Sequence, residues 1–481
     1  MCIVQCVSTG HKMIDFIVEF YTNLYTGNIP VDAKVPEGYL ASCLPHEAPQ
    51  KPLPFESVLE QVKLHFFPGL VQWQHPQFFG WFPGQTSFAS IMGDMLSSTF
   101  NVIGFTWAAS PVATELEVIM LNWMAKALAL PSCFLSEAGF GGGAIQVSAS
   151  DSIHVALIAA RLKCLQCKGM YDITTNVGDS SKLVAYGSDQ AHSSFMKSAK
   201  CAGLQTHLIK TSPSTYNAMQ PEDLIQAIQE DIFKGLIPCF ICGTIGTTST
   251  TAVDPIESIA SAVQFAFPTE SIWFHVDAAY AGNFAVCEEF RYHFQGLEAW
   301  DSFNFNPHKA FRVGFDCSLF YVKNKNAIFN ALSFTPEYLR NKVKEKSSTI
   351  DFKDWQVALG RRFRSLKLFF VLNLLGIEVI QNGLRRLNAL ALRLQKYLQG
   401  DPRFEVVAPV LFGLVCFRLK NKSNELQERL LMAMKEQNFF LTHTKINSDY
   451  IIRVSVGNIS TTEIHVDALW KALSLKASEF E

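Results

Sequence analysis

The 481-residue chain has almost no charge imbalance: 41 Lys and Arg stand against 43 Asp and Glu, a formal net charge of −2. That leaves no basic excess to hold nucleic acid or an anionic membrane, so a small molecule is the expected partner. Long apolar runs are missing too. The greasiest stretch, 368–375, is far shorter than the roughly 20 residues of a membrane span and follows Arg361, Arg362 and Arg364. It reads as a buried helix. The first residues lack the cationic flank and apolar run of a secretory signal, and the expectation is a cytoplasmic protein. Without secretion the sequons at Asn421 and Asn458 carry little weight. No short repeat, low-complexity tract or Gly/Ser linker divides the chain.

The 12 cysteines raise the question of a metal or of disulfides. Two CxxC spacings occur, Cys164/Cys167 and Cys239/Cys242. The second pair lies in a strand-like run, where positions three apart point to opposite faces and do not readily share an ion. Cys164 and Cys167 end a helical pattern with no further Cys or His nearby. No metal is expected, and the thiols read as reduced and mostly buried.

With 48% hydrophobic residues the chain can bury a large core, and its length suggests two or three domains. Residues 13–21 and 58–67 carry apolar side chains at spacings of three and four, separated by a Pro-containing extended stretch over 28–54. These helices are greasy for a freestanding unit, and 1–87 reads as a helical dimerisation segment. From about Ser87 helix and strand alternate. Helices are expected over 112–130, 193–200, 221–233 and 255–267, with strands over 182–186, 205–209, 238–246 and 272–277. That βαβα order predicts an α/β domain over 88–367 with a mostly parallel sheet and ligands at the carboxyl ends of its strands. A small α+β domain over 368–481 is expected to end in strands at 410–417 and 450–456.

Asp277 closes the apolar strand Trp273-Phe-His-Val-Asp, where such ligands bind. On its own it reads equally as a cap for a turn. Lys309, in Asn306-Pro-His-Lys, is in isolation an ordinary surface lysine. Together they match the needs of pyridoxal 5'-phosphate, which requires an amine for a Schiff base and a carboxylate to keep its ring nitrogen protonated. The small residues of Gly141-Gly-Gly-Ala-Ile-Gln-Val-Ser-Ala-Ser precede a helix, so the amides of Ala149 and Ser150 and the Ser150 hydroxyl can bind a phosphate. The run has no Walker lysine and no GxGxxG, which disfavours a nucleotide cradle.

The order of these motifs resembles the group II pyridoxal-phosphate-dependent decarboxylases, in particular the plant aromatic-L-amino-acid decarboxylases that act on tryptophan or tyrosine. The resemblance runs from about Gly10 to Leu473. It includes His75-Pro-Gln-Phe-Phe-Gly-Trp-Phe-Pro, Gly104-Phe-Thr-Trp-Ala-Ala-Ser-Pro, Ser188-Asp-Gln-Ala-His, Gly246-Thr-Thr-Ser-Thr-Thr-Ala-Val-Asp-Pro, His275-Val-Asp-Ala-Ala-Tyr, Asn306-Pro-His-Lys and Asp354-Trp-Gln-Val-Ala-Leu-Gly-Arg-Arg-Phe-Arg. It implies a fold-type I enzyme, a homodimer with active sites at the subunit interface, using pyridoxal 5'-phosphate to remove the carboxylate of an aromatic L-amino acid.

By the same resemblance Lys309 is the Schiff-base residue and Asp277 the partner of the ring nitrogen. His192 stacks on one ring face, where its local alternative is to cap a turn, and Ala279 packs on the other. Thr248, Asn306 and His308 add contacts. Trp73, Trp81, Phe82, Pro83 and Phe105 form the aromatic pocket, with core packing as their plain alternative. The segment 335–348 looks like a lid. A tyrosine at the place of Tyr338 delivers a proton to the substrate carbon once carbon dioxide has left, giving an amine; relatives with phenylalanine there make an aldehyde, ammonia and peroxide. Glycine before Arg361-Arg-Phe-Arg, here Gly360, goes with indole substrates, and serine with phenols.

Four departures stand out: Ala310 replaces a tryptophan and opens a gap beside Lys309, Val147 replaces a glycine near the phosphate loop, Gly84 replaces a larger residue in the substrate wall, and the leader is short. Rival readings are an aromatic aldehyde synthase and an inactive cofactor-binding homologue that works as an interaction protein. An aminotransferase is disfavoured, since no arginine motif for an α-carboxylate is found.

Overall fold

In the computed structural model, residues 3–175, 177–334 and 349–480 are described. Contacts divide the chain into two compact units. One gathers 1–83, 390–407 and 415–481, and the other 84–389 with 408–414.

The larger unit is built on a seven-stranded sheet. Its strands are β1 (Gly142–Gln146), β2 (Leu183–Ser188), β3 (Gln205–Ile209), β4 (Ile237–Thr244), β5 (Trp273–Asp277), β6 (Ser302–Phe305) and β7 (Ser318–Val322). They lie in the order β1-β7-β6-β5-β4-β2-β3. The four neighbouring pairs from β6 to β3 are parallel, and β7 runs against both β6 and β1. Every residue of β1, β2, β5, β6 and β7 is buried. A strand covered on both faces buries its polar side chains as well as its apolar ones, and β5 and β6 carry His275, Asp277, Ser302 and Asn304 inside.

Several helices of this unit have sequence-encoded starts. In α1 (Phe88–Phe100) the N-cap Ser87 side chain accepts from the Ser90 amide, and in α2 (Ala149–Cys167) the Ser148 side chain accepts from the Asp151 amide. Helix α3 (Ser193–Ala202) is capped by His192 and stops at left-handed Gly203 (φ 74°). The four-residue α4 (Pro307–Ala310) carries Lys309.

In the smaller unit, the helix Ile3–Tyr25 sets Phe16 and Phe20 against Phe67, at ring separations of 5.8 and 5.3 Å. The sheet of this unit contains two antiparallel pairs, Phe404–Val406 with Leu414–Leu419 and Thr442–Ile446 with Asp449–Ser455. Chain 77–79 joins it through hydrogen bonds from Phe79 to Phe440, Phe440 to Gln77 and Ser455 to Phe79. The expected strand at 410–417 is half turn: Phe412 and Gly413 are left-handed (φ 53° and 83°), and the strand starts at Leu414. A short helix, Tyr39–Cys43, interrupts the stretch read as extended. The apolar helix Arg364–Gln399 is long enough to cross a membrane by length and composition alone, but Gly376 (φ 72°, ψ 165°) breaks it in two.

Candidate active site

Parallel strands deliver their last residues to one edge of the sheet. Here Thr244 ends β4, Asp277 ends β5 directly beside it, and Asn306 follows the end of β6. Asp277 is 4% exposed, and its Oδ1 accepts from the Ala279 amide at 3.0 Å and from Asn304 Nδ2 at 3.3 Å. Both bonds fall on one oxygen, so the other remains for a further donor.

Hydrogen bonds from several loops fix the short segment that carries Lys309. The Asn306 amide donates to the Ala279 carbonyl at 2.9 Å, and Asn283 Nδ2 donates to the Asn306 carbonyl at 3.0 Å. The Gln85 amide donates to the His308 carbonyl at 3.0 Å. His308 is buried, and its Nδ1 accepts from the Cys317 amide at 3.0 Å. Burial first, and the Lys309 charge second, lower its pKa to about 3, so this imidazole is neutral.

His192 comes from the loop after β2. Its Nδ1 accepts from the Ser194 amide at 3.2 Å and lies 2.8 Å from the Ser194 hydroxyl. The capping alternative is therefore real, and it also locks the ring. The surrounding walls depress the His192 pKa although the residue is solvent-accessible, Asp277 opposes that shift and Lys309 adds to it. Asp277 and Lys309 are thus each within Coulombic reach of His192.

Ala149 and Ser150 begin α2, where first-turn amides have no intrahelical acceptor and the helix end is positive. Thr248 is half-buried in the turn after β4, reached through Gly246 (φ 83°), where a Cβ would lie 2.6 Å from that of Ala281. A pyridine ring bearing a phosphate suits this set chemically: a carboxylate, an amine, helix-end amides and small hydroxyls. Among the described residues, Asn306 Oδ1, Thr244 Oγ1 and Ser188 Oγ are buried with no hydrogen-bond partner, and buried polar atoms normally have one.

Gly360 and Phe105 also belong to the larger unit. A cavity of about 380 Å³ is lined there by Ser97, Asn101, Ile103, Gly360, Arg361 and Phe363. Gly360 is not left-handed, and a Cβ on it would meet only Ile103 Cγ2 at 3.8 Å. The backbone does not demand glycine there. Phe105 is half-buried, and its carbonyl accepts from the Lys353 amide at 2.9 Å.

The smaller unit holds the other expected pocket residues. Trp73 and Trp81 stack at 5.0 Å and 16°, and are 41% and 43% exposed. Trp81 also lies 5.2 Å from Phe440, an aromatic partner far off in sequence. Phe82 and Pro83 are buried: Arg453 lies over the Phe82 ring at 5.4 Å, and Pro83 closes against Gly457. Tyr338 lies outside the described residues. The gap expected beside Ala310 is closed, for that residue is 2% exposed.

The profile described as "Pyridoxal-dependent decarboxylase conserved domain" matches residues 36–420. The chain belongs to the pyridoxal-dependent decarboxylases. Its fold is fold-type I and its cofactor is pyridoxal 5'-phosphate. When bound, that cofactor supplies a ring that accepts the electrons of the bond broken at the substrate Cα. Within the family, this decarboxylase groups with plant enzymes of aromatic amino acids. It is 42% identical to tryptophan decarboxylase 2 of Oryza sativa (99% of this chain, 95% of that protein) and 42% identical to phenylacetaldehyde synthase of Arabidopsis thaliana (98% and 95%). Among solved structures, Oryza sativa TDC with PLP and tryptamine superposes at a TM-score of 0.95 with 35% identity, covering 100% of this chain and 99% of that one.

Reading the sequence overlooked Asn304, Ser302 and Phe440. The first two carry a legible signal, polar residues at period two in an otherwise apolar strand. Phe440 carries none, since only the fold brings it to Trp81.

Proposed function

We propose that this decarboxylase acts on an aromatic L-amino acid with an indole ring, tryptophan or 5-hydroxytryptophan ahead of tyrosine, dopa and phenylalanine, and releases the arylalkylamine and carbon dioxide. The observation that carries the indole preference is Gly360, a glycine that the backbone does not need, beside open space. A missing side chain makes room for a bicyclic ring. Relatives were crystallised with tryptamine and with L-tryptophan, which supports the same reading.

In this reading Lys309 holds the cofactor covalently and Asp277 keeps its ring nitrogen protonated. His192 and Ala279 flank the ring, and the Ala149 and Ser150 amides take the phosphate. Thr248, Asn306 and His308 complete the polar contacts. Trp73, Trp81, Phe82, Pro83 and Phe105 supply apolar walls that suit a flat ring. Tyr338 gives its proton to the substrate carbon vacated by carbon dioxide; a phenol has such a proton and a phenyl ring does not. That residue favours an amine product over the aldehyde chemistry of the synthase relatives.

The working form in this proposal is a cytoplasmic homodimer. Helix α1 supports the dimer: Phe88, Met92, Met95, Leu96 and Phe100 recur at helical spacing and are 37–55% exposed, an apolar stripe a soluble monomer rarely leaves open.

The test is to incubate the purified holoenzyme with tryptophan, 5-hydroxytryptophan, tyrosine, dopa and phenylalanine while following carbon dioxide, amine, aldehyde and peroxide together. Amine without matching peroxide, formed fastest from the indoles, is expected. Aldehyde with equimolar peroxide would move the protein to the synthase reading, and faster turnover of phenols would overturn the role of Gly360.

A further inference from the structure

Behind Asp277 lies a file of polar side chains that the reaction as described does not use. Trp273, His275 and Asp277 alternate along β5, and Ser302 and Asn304 along β6. The register pairs His275 with Ser302 and Asp277 with Asn304. Period two puts each set on one face of the sheet, and all five residues are at most 4% exposed.

The chemistry at the two ends of this file fixes every hydrogen between them, because an indole N–H only donates and a carboxylate only accepts. Trp273 Nε1 donates to Ser302 Oγ at 2.8 Å. The Ser302 hydroxyl then turns its own hydrogen to His275 Nδ1, also at 2.8 Å. With Nδ1 accepting, the imidazole proton sits on Nε2 and is donated to Asn304 Oδ1 at 2.8 Å. That orients the Asn304 amide so that Nδ2 donates to Asp277 Oδ1 at 3.3 Å. Four bonds run in one direction. Burial lowers the His275 pKa to about 4, which keeps the ring neutral and the direction intact.

We infer that Trp273, Ser302, His275 and Asn304 are positioning residues, a one-way hydrogen-bond chain that fixes the orientation of the Asp277 carboxylate toward the cofactor's ring nitrogen. Aligned dipoles in a buried chain strengthen one another, and the last bond ends on a charge, where a hydrogen bond is worth most. A purely structural role explains the arrangement less well. Apolar residues of similar shape would fill the same space without four groups that each need a partner.

The proposal rests on the cofactor and on Asp277, and does not depend on which aromatic ring is preferred. Its test uses holoenzyme loaded with pyridoxal 5'-phosphate carrying 15N at the ring nitrogen, comparing wild type with His275→Phe, His275→Gln and Trp273→Phe. In His275→Phe the nitrogen signal should move toward the unprotonated range. Its kcat should fall on the order of ten- to a hundredfold, with KM changed less than about twofold. His275→Gln should recover part of both, and Trp273→Phe, which removes only the head of the chain, should show smaller changes of the same kind. An unmoved nitrogen signal in folded His275→Phe would overturn the proposal. Should that variant not fold, the imidazole 15N spectrum of wild-type protein decides. A neutral ring with its proton on Nε2 at pH 7 is expected, and a proton on Nδ1 or an imidazolium overturns it.

Discussion

Gly360→Ser is the substitution on which the indole reading stands or falls. The new Cβ meets Ile103 Cγ2 at 3.8 Å, an ordinary contact, and the backbone there is not left-handed. The residue is exposed, so folding stability should change by less than about 0.5 kcal/mol. The hydroxymethyl group should matter only to a bound side chain. Excluding a group of that size from an apolar pocket is worth about 1–3 kcal/mol of discrimination, or roughly 10- to 200-fold. The ratio of kcat/KM for tryptophan to that for tyrosine should therefore fall by that factor in Gly360→Ser. Steady-state rates on both substrates and a melting curve for each protein suffice. An unchanged ratio with an unchanged melting temperature would refute the reasoning. Gly246→Ser is the contrasting case: a Cβ there would lie 2.6 Å from Ala281 Cβ in a left-handed turn, so stability itself should drop.

Three further outcomes are expected. Tyr338→Phe should convert the product from amine to aldehyde, with ammonia and peroxide in equal amounts, and a coupled peroxide assay beside amine chromatography reads this directly. Lys309→Ala should lose the covalently held cofactor on gel filtration and turn over at less than about one-thousandth of the wild-type rate; retention of a normal rate would remove Lys309 from the chemistry. Stability should decline in mild acid. His275 and His308 have pKa values lowered from 6.5 to about 4 and about 3. Above pH 6.5 both are neutral in folded and unfolded chains alike. Below it the unfolded chain takes up protons that the folded one refuses, so each costs up to about 1.4 kcal/mol per pH unit. For His275 that loss is complete near pH 4. Urea midpoints at pH 7, 6 and 5 check this, and a flat profile over that range would contradict neutral burial.

The helices and strands of the larger unit were legible because their signals are local. Proline at the first helical position and apolar runs of strand length place the helix Pro221–Phe233 and the strand β5 almost residue for residue. The places of Asp277 and Lys309 were legible because each follows an apolar stretch of strand length, and the structure sets them at the end of β5 and just after β6. What could not be read was whatever depends on distant chain. Segment 77–79 pairs with Phe440 and Ser455, so residues read as a separate N-terminal piece share a unit with the C-terminal sheet. The turn at Phe412 and Gly413 was hidden by an apolar run with the composition of a strand. Val407 donates to the Cys416 carbonyl across that turn, and this bond fixes where the strand begins.

The departures from the family pattern gain meaning from the same distinction between backbone need and side-chain room. Val147 is 41% exposed and has no left-handed φ, so the chain entering the Ser148 cap needs no glycine there and the branched side chain points to solvent. A Cβ on Gly84 would meet the His308 carbonyl at 3.6 Å, a distance that alanine tolerates, so glycine there reflects space rather than strain. Ala310 is buried by its neighbours instead of lining an opening. None of the three disturbs the hydrogen bonds on Asp277 or the contacts that hold Asn306 and His308. The groups facing the cofactor therefore keep their places, and of the three departures only Gly84 leaves added room. For this chain, differences from its relatives are expected in which amino acid is taken rather than in whether a carboxylate is lost.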